Sequence, residues 1–136
     1  VCGHSLGGHN ALFLAAFDRR VRAVISSCGF TSFAKYMRGD LTGWSHRGYM
    51  PRIASEFAKD PRRLPWDFAD LLRAIAPRPI FVNAPLQDAN FDASGVDDAI
   101  RDSTHAGITV HHPDTGHDFP PAQRLAAWAW LDRALR

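Results

Sequence analysis

Glutamate and lysine are nearly missing from these 136 residues, which hold one glutamate, Glu56, and two lysines, Lys35 and Lys59. Aspartate and arginine carry the charge instead and almost cancel, leaving a formal net charge of +2. A charge that small builds no field to gather nucleic acid or an anionic membrane. The basic residues are scattered as well, with pairs such as Arg19-Arg20 and Arg62-Arg63 the longest runs. Cysteine is equally scarce. Cys2 and Cys28 are too few for a disulfide framework and have no metal-ligand spacing, so they read as two buried thiols on neighbouring strands. No apolar run approaches the ~20 residues that span a bilayer, and no basic segment precedes an apolar one as in a signal peptide. The expectation is a soluble chain of unnamed compartment, without nucleic-acid or membrane partners. No repeat or low-complexity tract interrupts it.

What is present is alternation. "GGHNALFLAAFD" is rich in Ala and Leu and reads as a mostly buried helix, and "VRAVISS" as a short β-branched strand. "DFADLLRAIAPRP" opens on an N-cap candidate, Asp67, and spaces Phe68, Leu71, Leu72 and Ile75 along one helical face before Pro77 and Pro79 stop it. "IFVNAP" reads as a buried strand, "SGVDDAIRDST" as a helix and "ITVHH" as a strand. The closing "PPAQRLAAWAWLDRALR" starts with prolines and lines up Leu125, Trp128, Leu131 or Asp132, and Leu135. Strands alternating with helices imply an α/β domain, a parallel sheet covered on both faces in three layers. One stretch breaks the rhythm. Residues 29–66 are irregular, aromatic and dotted with Gly and Pro, as expected of a lid or substrate wall.

In parallel sheets the working residues sit in loops beyond the carboxyl ends of strands. Three candidates fall there. Ser5 follows Val1-Cys2 and opens the first helix, Asp88 follows "IFVNAPLQ", and His117 follows "ITVHHPDTG". A serine hydroxyl is a weak nucleophile near neutrality and needs a base. Histidine, with an ordinary pKa near ~6.5, suits that role. A carboxylate fixes the imidazole tautomer and stabilises the imidazolium. Gly3 and Gly7 around Ser5 suit a sharp strand-to-helix turn where a Cβ would collide. The helix N-terminus behind Ser5 aims backbone N–H groups at a developing oxyanion, with Leu6 N–H the expected donor.

Rival assignments stand beside these. Asp92 is a second candidate for the acid, and Asp88 is preferred because it comes sooner after its strand. Asp114 and Asp118 read as loop and cap residues. His111 and His112 point to opposite faces of a strand and cannot easily share a metal ion. His4 reads as pocket wall, and His9 as a packing residue or a support behind the site. Substrate choice is expected in 29–66, with Phe30, Phe33, Tyr36, Trp44, Arg47, Tyr49 and Trp66. Of these, Phe30, Trp44 and Arg47 join His4 as candidate substrate-binding residues, although core and lid packing explains the aromatics equally well. Arg47 or Arg52 could hold a substrate carboxylate.

"GHSLGG", "PIFVNAPLQD" with its "APRP" lead, and "PDTGHDFP" together resemble the C-terminal half of an α/β-hydrolase, within the set of dienelactone hydrolases, acetyl xylan esterases and prolyl oligopeptidases. The resemblance spans nearly the whole chain, least specifically across 29–66. It implies Ser5 as nucleophile, Asp88 as acid, His117 as base and Leu6 as one oxyanion donor, without metal or cofactor. It also implies several strands ahead of the nucleophile and a second oxyanion donor among them, neither of which this sequence holds. The expectation is therefore that 1–136 is the C-terminal part of one catalytic domain, with the N-terminal half of that domain as its missing partner. The expected activity is serine hydrolysis of a small-molecule carboxylic ester through an acyl-enzyme. A serine peptidase of prolyl oligopeptidase type and a non-catalytic α/β binding module remain as alternatives.

Overall fold

The computed structural model describes all residues, Val1–Arg136. Four strands, β1 (Cys2–His4), β2 (Val24–Ser27), β3 (Ile80–Asn83) and β4 (Ile108–His111), form one sheet in the order β1-β2-β3-β4. Every pairing is parallel, in a register that sets Ile25 beside Cys2 and Phe81, and Val82 beside Val110. The helices are α1 (Leu6–Phe17), a short α2 (Arg52–Ser55), α3 (Phe68–Ile75), α4 (Ala93–Ser103) and α5 (Pro121–Ala134). All but α2, which lies in the stretch expected to be irregular, fall within a few residues of their expected spans. No helix is long and apolar enough to cross a membrane.

Side chains alternate across a strand, and the two faces fill accordingly. Val24, Ile80 and Val82 join Leu12 of α1, Phe68 and Leu72 of α3 and Val96 of α4 in the larger core. Ile25 and Phe81 point the other way, onto Ala127 and Trp130 of α5. Both central strands are buried along their full length, which accounts for their continuous apolar runs.

Two expectations about burial are corrected. Cys28 is buried but Cys2 is exposed, because β1 pairs with β2 alone and its other edge is open. On α5, Leu125, Trp128 and Leu135 remain 69%, 42% and 40% exposed, while Ala127 and Trp130 are the buried positions. The small Ala127 lets the helix lie close to Ile25 and Phe81, and Trp130 packs with its ring centroid 5.7 Å from Phe81. Leu131 of the expected stripe packs partly against this cluster, while Leu125, Trp128 and Leu135 face away from it.

The irregular stretch is anchored at its far end by the start of α3. Asp67 caps that helix and also accepts the Phe33 N–H at 3.1 Å, while Asp70 reaches back to the Asp67 N–H at 2.9 Å. Burial raises the Asp67 carboxyl above its ordinary range. Between these ties run three single turns, Tyr36–Gly39, Leu41–Trp44 and Pro61–Arg63, with α2. They deliver Phe33, Leu41, Trp44 and Ile53 into the larger core.

Candidate active site

Ser5 sits between β1 and α1 with φ 55° and ψ −123°, a conformation that costs a side-chain-bearing residue of order 1–3 kcal/mol. Its N–H donates to the Ser27 carbonyl at 2.8 Å, and its own carbonyl accepts from His9 N–H at 3.0 Å. The turn is thereby pinned to β2 on one side and to the first turn of α1 on the other. The glycines that permit it are not quite the expected pair. A Cβ on Gly3 would lie 2.1 Å from the Gly7 backbone, and one on Gly8 would lie 2.8 Å from the Ser27 carbonyl. A Cβ on Gly7 would meet nothing within 4 Å. Gly3 and Gly8 allow helix and strands to touch, and Gly7 faces open space.

The structure brings Ser5, Asp88 and His117 together. His117 Nε2 lies 2.8 Å from Ser5 Oγ, and Nδ1 lies 2.9 and 3.0 Å from the two Asp88 oxygens. With Nδ1 protonated toward Asp88, Nε2 is left to accept the serine proton. The Asp88 side chain is only 1% exposed, and its Oδ1 also accepts the N–H groups of Asn90 and Phe91 at 2.8 and 3.1 Å. Asp92 is occupied elsewhere, capping α4 through Ser94 N–H. Leu6 heads α1, and its N–H makes no backbone hydrogen bond, which leaves it free to donate beside Ser5.

A polar layer the sequence reading missed lies beneath. Asn83, the last residue of β3, donates to Ser27 Oγ and to the Asp118 carbonyl, both at 2.9 Å. Ser27 Oγ in turn lies 3.0 Å from His4 Nδ1, and the His4 ring stands 5.1 Å from that of His117. Three strand ends are thus tied directly under the His117 loop. Burial, followed by the nearby His117, lowers the His4 pKa. Cys28, at φ 48°, donates its thiol to the Asp118 carbonyl at 3.4 Å. The ligand atoms of Cys28, Asp88 and His117 lie within 4.8 Å of one another. Burial pushes the Cys28 thiol up to about 12, and Asp88 already serves three partners, so this group is ill suited to a metal ion. Only the register of Asn83 opposite Ser27 could have pointed to this layer.

Beside Ser5 opens a cavity of about 310 Å³, lined by Ser5, Leu6, His9, Tyr36, Trp44, His46, Tyr49 and Phe91 together with Gly43 and Gly48. Of the expected substrate-binding residues, Trp44 lines it. Phe30 does not, being 1% exposed in the core and stacked on Phe68. Arg47 is exposed between two lining residues and is not itself one of them, and Arg52 is paired with Glu56 at 2.6 Å. His4 packs against His117 outside the cavity. His9, read as a packing residue or a support behind the site, instead lines the cavity one helical turn below Ser5. Its spacing of four from Ser5 on α1 was the available signal. Phe91, whose ring centroid lies 5.8 Å from that of His117, offered none.

No protein-family model matches this chain, and no curated protein matches its sequence. Solved structures do. A carbohydrate esterase family 15 glucuronoyl esterase from Caldicellulosiruptor kristjansonii superposes with a TM-score of 0.77 at 22% identity, covering 100% of this chain and 42% of its own. Acetyl xylan esterase 1 from a Thermoanaerobacterium species gives 0.70 at 24% identity, covering 100% and 45%. A glucuronoyl esterase from Solibacter usitatus gives 0.76 at 15% identity, covering 98% and 41%. This chain therefore spans less than half the length of each. These proteins share an ester hydrolase fold, and the parallel sheet described above matches its later strands. The chain has the fold of the C-terminal portion of an α/β-hydrolase.

Proposed function

We propose that this chain is the nucleophile-bearing portion of a serine hydrolase domain that cleaves carboxylic esters of small molecules. The observation that carries the reading is the unbroken line of hydrogen bonds from buried Asp88 through His117 to Ser5. Ser5 Oγ attacks the ester carbonyl carbon while His117 Nε2 takes its proton. The carbonyl oxygen gains a negative charge that Leu6 N–H meets. The tetrahedral intermediate collapses, the C–O bond to the alcohol breaks, and the alkoxide leaves with the proton from His117. Water then repeats the sequence on the acyl-enzyme, His117 accepting its proton and returning it to Ser5. Asp88 stays ionised throughout and steadies the imidazolium.

The same reading makes the chain one part of a larger domain. Its partner would be the half that pairs with the open edge of β1 and supplies a second oxyanion donor. A missing donor costs about 10²–10³ in turnover, so the chain alone should turn over esters slowly. A fluorophosphonate probe tests this directly. The 136-residue chain should be labelled at Ser5, the label should vanish in Ser5→Ala, and labelling should fall about 10⁴-fold in Asp88→Asn, where the tautomer is no longer held. A folded chain that takes no label at Ser5, or one labelled equally well in Asp88→Asn, would overturn the assignment.

A further inference from the structure

Five buried side-chain polar atoms in this molecule have no hydrogen-bond partner, and three of them belong to residues around the Ser5 cavity, namely His9 Nδ1, Trp44 Nε1 and Tyr49 Oη. An orphaned polar group is costly because its lost hydration is not replaced, and native interiors hold few of them. Here they are gathered. The His9 ring centroid lies 4.8 Å from that of Trp44 and 5.4 Å from that of Tyr49. Trp44 and Tyr49 stack on each other at 5.7 Å with 26° between their planes.

The chemistry of the set is specific. Indole N–H only donates, the phenol donates or accepts, and the His9 imidazole, whose other ring nitrogen is hydrogen-bonded to the Gly29 backbone, has Nδ1 left to offer. Burial holds His9 down to about 4 and raises Tyr49, so both are uncharged near neutrality. No Asp, Glu, Lys or Arg lines the cavity. An ionic group entering here would lose its hydration and find no counter-charge. A purely apolar group would leave three polar atoms unmet. A ring that presents hydroxyls at its edge and C–H groups on its faces would answer both the orphan atoms and the aromatic walls.

We propose that His9, Trp44 and Tyr49 form a subsite for an uncharged, hydroxyl-bearing ring on one side of the scissile ester. The proposal rests on the ester hydrolase reading for its place in the reaction, but binding at the subsite requires no catalysis. The three atoms are buried beside the cavity, so a ring's hydroxyls reach them only if the aromatic side chains shift, and the Trp44 indole N–H would report that shift.

The test is titration of the Ser5→Ala chain with methyl β-D-glucopyranoside, methyl β-D-glucopyranosiduronate and cyclohexylmethanol, read by NMR at the Trp44 indole and the His9 ring. The neutral glycoside should bind at least about tenfold tighter than either of the others. That preference should shrink about tenfold in His9→Phe, which retains the aromatic packing, and should also weaken in Tyr49→Phe, which removes one oxygen. Equal binding of cyclohexylmethanol, equal binding of the uronate, preference unchanged in both variants, or no shift of the Trp44 and His9 signals with the glycoside would each overturn the subsite. Ser5 labelling by the fluorophosphonate probe is independent of all four results, so a failed subsite and a failed ester hydrolase reading give different patterns.

Discussion

Gly3 and Gly7 hold symmetric places around Ser5 in the sequence, yet they stand in unlike surroundings. Gly3 is pressed against the start of α1, where an added methyl would overlap the Gly7 backbone. Gly7 lies early in α1 with open space where its side chain would go. Gly3→Ala should therefore destabilise by more than about 3 kcal/mol, in the range reserved for unavoidable overlap. Gly7→Ala should be neutral or stabilise by up to about 1 kcal/mol, through helix propensity. Urea unfolding midpoints of the two variants decide it, and similar losses in both would mean that the turn is tighter than described. The residues that meet at Ser5 were legible because position after a strand is a one-dimensional property. Asp88 could be preferred to Asp92 on distance from β3, and the structure does bring it to His117. Phe30 could not be told from Trp44 in the same way. Both are core aromatics from an irregular stretch, and only the path of the backbone brings Trp44, but not Phe30, to the cavity as well.

Helix α5 illustrates what periodicity conveys and what it omits. Its extent followed from Pro120-Pro121 and the run of apolar residues, but the face was misassigned. Spacing of three and four selected Leu125, Trp128 and Leu135, whereas the sheet accepts the side on which Ala127 permits close approach and Trp130 meets Phe81. The consequence can be measured. Trp130→Ala should cost about 3–5 kcal/mol as a buried aromatic is lost. Leu125→Lys and Trp128→Lys should each change stability by no more than about 0.5 kcal/mol. If Trp128→Lys instead destabilised the chain as much as Trp130→Ala, the packing of α5 would need to be rotated. Helix α3 is the opposite case. Its cap, Asp67, and its face, Phe68, Leu71, Leu72 and Ile75, were both readable and all four apolar residues are buried. The difference is that α3 is enclosed by neighbours, so that its apolar stripe and its contact face coincide.

At the scale of the whole molecule, stability should respond to acid through His9. The folded chain holds this ring at about 4 by burial, whereas an unfolded chain titrates near the ordinary ~6.5. Between those values the unfolded state binds a proton that the folded state refuses, so stability rises with pH across the window. The contribution is fully present above ~6.5, is lost progressively as pH falls, and levels off below about 4, for a total of about 3 kcal/mol. His9→Phe should remove that loss, seen as a smaller drop in unfolding midpoint between about pH 7 and pH 4.5. Equal drops in both chains would show that His9 is more accessible than its packing implies. The layered α/β plan was legible from alternation alone, because each element is coded locally. The open outer edge of β1 follows from the strand order β1-β2-β3-β4. One further property follows from how far apart the Ser5 and His117 segments lie. Their hydrogen bond joins residues 112 positions apart, and loops of that length close late relative to local helices. On the proposed reading, reactivity at Ser5 should therefore appear late in folding, after the strands between the two residues have docked.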